Sequence, residues 1–172
     1  MMVLYWLWGY IFGSLPFALW VTRLAKDIDI RDGGSGHVTT TNTIRQAGWL
    51  PGIIVLLLDI TKGFLPVFFA VRAGLPAWSL AVTAGLVVIG HCYPLFAEFR
   101  GGMGLAATGG TLLAVSIPAF FLVLGLLVFL LLTMQHAARA SLFAGLFAPF
   151  FLYIMHLRGV ELWVMAATGL VI

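Results

Sequence analysis

The sequence predicts an all-α, polytopic membrane protein of six to seven transmembrane helices, with its amino terminus outside and its polar loops facing the cytoplasm. Three observations carry this prediction. Of 172 residues, 62% are hydrophobic and only 9% charged, against roughly 25% charged in a soluble domain, and the mean hydropathy is +1.11. Nine basic and six acidic side chains supply too little polar surface to enclose so apolar a chain in water. The apolar runs recur at lengths close to the about 20 residues that a spanning helix requires. The basic residues gather on one side of those runs. Spans of this number fill the length, so residues 1–172 read as a single integral-membrane domain. Cys92 is the one cysteine, which excludes an internal disulfide and a cysteine-rich metal cluster.

Taken in order, Val3 to Thr22 is long enough to cross and is followed by Arg23 and Lys26. No positive region precedes it, so it is predicted as a membrane helix and not as a cleaved signal. Residues 23–48 form the one long polar stretch, a Gly/Ser/Thr-rich loop at the headgroups. Trp49 to Val71 and Ala77 to Ile89 are the second and third spans, joined by a turn from Arg72 to Pro76. A second polar patch runs from Gly90 to Gly104. Leu105 to Leu132 is too long for one untilted helix, and Pro118 after Ser116 predicts two segments meeting at a break. Ser141 to Met155 and Leu162 to Ile172 complete the set. With the amino terminus outside, Arg23, Lys26, Arg31, Arg45, Arg100 and Arg139 fall on one face and only Arg72 and Arg158 on the other, so the first face is predicted to be cytoplasmic.

Chemistry concentrates in the two polar patches. In the first, Gly33, Gly34 and Gly36 permit positive φ and close approach of the backbone, while Ser35, Thr39, Thr40, Thr41 and Asn42 bring uncharged donors. A helix starting near Thr40 to Asn42 would aim free N–H groups into the loop, with Arg45 one turn in to grip an oxyanion. By composition alone the same stretch also reads as a flexible interfacial connector. In the second patch, Gly101, Gly102 and Gly104 accompany Arg100 and His91, a residue able to act as base or donor near neutral pH. Within the second span, Asp59 and Lys62 share one helix face. Such a pair either holds an anionic substrate or neutralises itself and braces the loop above. His136, Arg139 and Ser141 form a weaker group at a predicted cytoplasmic turn.

Read together, Gly13-Ser-Leu-Pro16, Asp29-Ile-Arg31 with Gly34-Ser-Gly36, Thr41-Asn42 with Arg45, Leu58-Asp-Ile-Thr-Lys-Gly63, and Gly90-His91 with Pro94 and Gly101-Gly102-x-Gly104 resemble the acyl-phosphate-dependent glycerol-3-phosphate acyltransferases of bacteria. Order and spacing match through about the first 110 residues. The resemblance implies a seven-helix inner-membrane enzyme with an outside amino terminus. It implies transfer of a fatty acyl group from acyl-phosphate to the sn-1 hydroxyl of glycerol 3-phosphate, giving lysophosphatidic acid and phosphate for phospholipid biosynthesis. No metal, cofactor or nucleic acid is implied; the partners are the two substrates and membrane lipid. Carried over by residue, His91, Ser35 and Asn42 would be catalytic, while Gly36, Thr41, Arg45, Arg100, Gly101, Gly102, Gly104, Lys62, Asp59 and Ser141 would bind phosphate and substrate. The acyl chain would lie in an apolar groove between helices.

The chain departs from the family's pattern at four positions. His37, Thr39 and Thr40 stand where the first motif carries asparagine, glycine and alanine, and a β-branched Thr39 would be strained at positive φ. Met103 stands where the glycine turn carries a lysine; losing one charge-assisted hydrogen bond is expected to weaken phosphate affinity roughly ten- to hundred-fold. The family's third motif, a basic stretch after the last helix, falls beyond Ile172, through truncation or because this wall is lacking. These departures support an alternative expectation, a catalytically degenerate relative acting as a membrane subunit or lipid-binding accessory with membrane-protein partners.

Overall fold

The first apolar run folds as two helices. In the computed structural model, which describes residues 1–172 apart from the side chains of residues 137 and 138, α1 (Met2–Gly13) ends at Ser14 and α2 (Phe17–Lys26) begins after Pro16. Pro16 has no N–H to continue the ladder and disfavours a helical Leu15. Ser14 Oγ donates instead to Tyr10 O at 2.8 Å. Hydropathy alone had merged these segments, because the break lies within apolar sequence.

The predicted loop over 23–48 is shorter than expected, since α2 continues to Lys26 and Thr40–Ala47 forms a helix, α3. A short 3₁₀ turn, Ile30–Asp32, lies between them. Thr39 caps α3, its hydroxyl accepting from Asn42 N at 3.3 Å. With φ −130° this residue is extended, so the strain expected of a β-branched residue there is absent. Gly34 and Gly36 do take positive φ, +61° and +70°.

Trp49–Arg72 is α4 and Ala77–Cys92 is α5, one turn longer than the apolar run suggested. A second 3₁₀ turn, Leu95–Ala97, precedes α6 (Leu105–Val115) and α7 (Ile117–Met134). These two helices meet at Ser116 as predicted, with Ser116 Oγ accepting from Ala119 N at 3.3 Å. α8 (Ala137–Ile154) and α9 (Val160–Gly169) close the series; α8 starts a turn earlier than expected and α9 stops before Ile172. Among the described residues the fold is all helix and turn, without strands. Four helical stretches are long and apolar enough to cross a membrane, Met2–Lys26, Trp49–Arg72, Ala77–Ala97 and Ile117–Met134, and three shorter apolar helices accompany them.

Small residues set the packing, as expected where lipid removes the hydrophobic drive between helices. Gly9 lies against Thr83 and Gly13 against the Val87 backbone, so α1 and α5 run side by side in the same direction. Gly63 and Gly110 bring α4 and α6 together: a Cβ on either would overlap the other helix's backbone, Ala107 O for Gly63 and Ile60 O for Gly110. One core cluster, built on Val67, Ala84, Leu112, Ala119, Leu152, Val164 and Met165, fastens α4 and α5 to α6–α9. A second, with Leu19, Ile30, Val38, Val55 and Ala97, ties the polar loops down onto α2 and α4. Buried Ile30, Val38 and Ala97 thus act as apolar pegs that hold both polar segments at one end of the helices.

Candidate active site

The first polar loop is shaped by two side chains of α3. The Asn42 amide donates to Ile30 O, Gly33 O and His37 O at 3.1, 3.2 and 3.0 Å, and its Oδ1 accepts from Ser35 N at 3.2 Å. Gln46 adds donations to Ile30 O and Gly33 O at 2.9 and 3.0 Å. A Cβ on Gly34 would overlap Asn42 Oδ1, which is the physical reason for glycine there. Outside this knot Asp29 receives Arg31 through Nε at 3.0 Å and Nη2 at 2.8 Å. Arg31 also lies 3.6 Å from Glu98, across to the second loop. The Arg31 guanidinium holds the Asp29 carboxyl down at about 2, against the opposing effect of burial; the same pairing raises Arg31 above its ordinary value.

The second patch is built around His91. Gly102 N donates to His91 O at 3.1 Å and Val38 N to Gly101 O at 3.2 Å, which stitches the glycine turn to both the α5 end and the first loop. Side chains would not fit: a Cβ on Gly101 would overlap His91 O, and one on Gly102 would overlap His91 Nε2. Gly104, at φ +81°, starts α6 and accepts from Thr108 N at 2.8 Å.

Beneath lies the charged group of α4. Lys62 Nζ is 2.9 Å from Asp59 Oδ1, and both side chains are 3% exposed. The same ammonium donates to Leu15 O at 2.8 Å, in the α1–α2 break, and stands 5.5 Å from the centre of the Phe17 ring. His91 Nδ1 lies 3.7 Å from Asp59 Oδ1. Lys62 is thus engaged by Asp59 and by a backbone carbonyl.

One cavity of about 770 Å³ connects these parts. Its polar end is lined by Ser35, His37, Thr39, Thr40, Thr41 and Arg45, with Asp59, His91, Met103 and Gly104 below and His136 across from them. Its apolar arm runs between Leu56 and Ile60 of α4, Leu105 to Leu112 of α6, and Phe120 to Leu131 of α7. Among the described residues three buried side-chain atoms lack any hydrogen-bond partner, Thr40 Oγ1, His91 Nδ1 and Thr108 Oγ1, and a fourth, Asp59 Oδ1, is met by the Lys62 ammonium alone. All four residues line this cavity. Because buried polar groups are nearly always satisfied, their convergence marks where a polar ligand completes the structure.

Ser35, Thr41, Arg45, Asp59, His91 and Gly104 therefore meet in one place, as expected from sequence. Asn42 is fully buried and Lys62 nearly so, and neither lines the cavity. Gly36, Gly101 and Gly102 are outside the lining. Arg100 is exposed and away from the cavity, with its N–H donating to Ala97 O at 3.0 Å. Ser141 is buried in α8 and also outside the lining. Thr108 was missed; its position one helical turn after Gly104 would have signalled it. Thr40 and His136, outside the residues that the resemblance assigns to the site, also line the cavity. No group of three or more His, Cys, Asp or Glu among the described residues is placed to hold a metal ion.

Comparison with known proteins agrees with the motif reading. The family model described as glycerol-3-phosphate acyltransferase matches residues 3–172. A glycerol-3-phosphate acyltransferase of Thermosipho melanesiensis is 36% identical over 156 residues, covering 91% of this chain and 75% of the relative. That of Thermotoga petrophila is 42% identical over 137 residues, with 79% and 69% covered, and that of Pseudomonas putida 39% over 153, with 89% and 79% covered. Among solved structures, the integral membrane glycerol 3-phosphate acyltransferase PlsY in its glycerol 3-phosphate form superposes with a TM-score of 0.88 at 32% identity, covering 99% of this chain and 85% of that one. Its lysophosphatidic acid form gives 0.85 at 30% identity, with the same coverage. With helices, polar loops and sequence matched from residue 3 to residue 172, the chain belongs to the glycerol-3-phosphate acyltransferase family.

Proposed function

We propose that this protein transfers a fatty acyl group from acyl-phosphate to the sn-1 hydroxyl of glycerol 3-phosphate, releasing lysophosphatidic acid and inorganic phosphate at the cytoplasmic face of a bacterial inner membrane. The observation that carries the reading is the two-part cavity, in which a cationic, hydroxyl-lined end opens into an apolar arm. A phosphate monoester suits the first part and an acyl chain the second. The degenerate-subunit alternative is not favoured, because its relatives carry the enzyme's name across the length of the chain.

In this reading Arg45 grips a phosphate with charge-assisted hydrogen bonds, and Ser35, Thr40 and Thr41 add neutral donors. His91 and Asp59 receive the attacking hydroxyl. Their facing atoms are 3.7 Å apart and His91 Nδ1 is not hydrogen-bonded, so a hydroxyl placed beside them can donate to the imidazole while it is oriented for attack. The hydroxyl oxygen forms the new ester bond to the acyl carbon, the bond from that carbon to the phosphate oxygen breaks, and the hydroxyl proton ends on the departing phosphate. Arginine and hydroxyl donors stabilise the charge that grows on the leaving group. The cytoplasmic placement rests on the six basic residues of the loop face against two opposite.

Incubating the purified protein in detergent with palmitoyl-phosphate and labelled glycerol 3-phosphate tests the reading. Lysophosphatidic acid is expected to form. No product at high protein concentration, with the Thermotoga petrophila relative active in parallel, overturns it.

A further inference from the structure

The apolar arm of the cavity ends on a built floor, and we infer that Phe120, seated against Gly109, sets the length of acyl chain that the site accepts. The inference rests on the acyl-transfer reading above and goes on to the specificity of that same site. Along α7 the lining residues are Phe120, Val123, Leu124, Leu127 and Leu131, a spacing that puts them on one helix face. From Phe120 to Leu131 this face runs about 16 Å along the helix axis, from the floor to the level of the polar end. The lining of α6 stops at Leu112 and that of α9 at Met165; both are 1% exposed and belong to the main core cluster, on which Phe120 packs.

The ring has little freedom to retreat. Phe120 N donates to Ser116 O at 3.1 Å at the capped start of α7. Its ring stands edge-on to Phe121, centres 5.2 Å apart. A Cβ added to Gly109 would come 3.3 Å from the Phe120 ring. Behind it the core is close-packed and resists the insertion of further methylenes. Each methylene that fits above the floor gains packing contacts, and the first that does not fit ends the gain.

The test is the dependence of kcat/KM on chain length, over saturated acyl-phosphates from octanoyl to eicosanoyl, for the wild type and four variants. In parallel, the thermal stabilisation given by saturated lysophosphatidic acids of the same lengths reads binding without turnover. Phe120→Ala and the milder Phe120→Leu are expected to move the optimum to longer chains, changing the ratio of activities for donors two methylenes apart by about ten-fold through relief of overpacking. Gly109→Ala, which crowds the ring, is expected to move it to shorter ones. Phe129→Ala is the control, since Phe129 is 61% exposed and outside the cavity lining; its optimum stays at the wild-type length. An unmoved optimum in both Phe120 variants, or an equal shift in Phe129→Ala, overturns the inference. If the wild type does not turn over, the acyl-transfer reading fails, and the binding series still decides: length-dependent stabilisation that shifts in Phe120→Leu supports the floor, and a profile unchanged by that substitution refutes it.

Discussion

The two ends of the cavity are built on opposite principles. At the floor, Leu112, Met165 and their neighbours fill space with apolar atoms that need nothing further. At the polar end the protein keeps some groups fully engaged and leaves others unpaired. Asn42, Gln46, Asp29 and Arg31 spend their hydrogen bonds on shaping the loops, whereas Thr40, His91 and Thr108 keep a buried atom without a partner. The contrast separates scaffold from site: saturated polar side chains hold the shape, and the unsaturated ones mark where a ligand belongs.

The sharpest way to break that division is to damage the scaffold charge. Replacing Lys62 by Met leaves Asp59 buried and uncompensated, and is expected to destabilise the protein by about 3–5 kcal/mol, seen as a fall in thermal stability in detergent. Adding Asp59→Leu to it should return much of that loss, since a buried pair replaced by apolar residues is often near neutral, while activity stays abolished. Arg45→Ala probes the other class. Arg45 is exposed and lines the cavity, so unfolding should be unaffected while KM for glycerol 3-phosphate rises roughly ten- to hundred-fold.

Met103→Lys tests the same end by addition. Met103 lines the cavity, and a cation there is expected to lower the KM for a phosphorylated substrate by about ten-fold with thermal stability unchanged. The smallest effect is in pH. Asp29 has its carboxyl depressed to about 2 by Arg31, so this latch contributes stability above the ordinary aspartate value of about 4. Its contribution is lost as pH falls from there through about 2. Arg31→Gln should flatten that acid limb of a stability-versus-pH curve, and a parallel curve would show that the latch contributes nothing.

Much of this architecture is legible in sequence because the bilayer imposes it: a spanning backbone must satisfy itself, so apolar run lengths report helices directly. The Ser116 break was readable through Pro118. The Ser14 to Pro16 break was not, because it is apolar on both sides, and α3 was readable only as one of two options, a helix from near Thr40 or a flexible connector, because threonines and an asparagine are ambiguous between loop and helix. At the site, residue types were easier to read than roles. Asn42 belongs to the expected constellation, but a sequence cannot show that all its hydrogen-bonding capacity faces inward. Thr108 stayed hidden because its meaning depends on having lost a backbone partner in an otherwise ordinary apolar helix.

The most direct test of the division between scaffold and site is a structure of this protein with glycerol 3-phosphate bound. The account predicts the phosphate against Arg45 and Thr40, with the sn-1 hydroxyl beside Asp59 and His91 and the Asn42 knot unchanged. A phosphate seated away from Arg45, or bound only after Asn42 releases the loop, would contradict it.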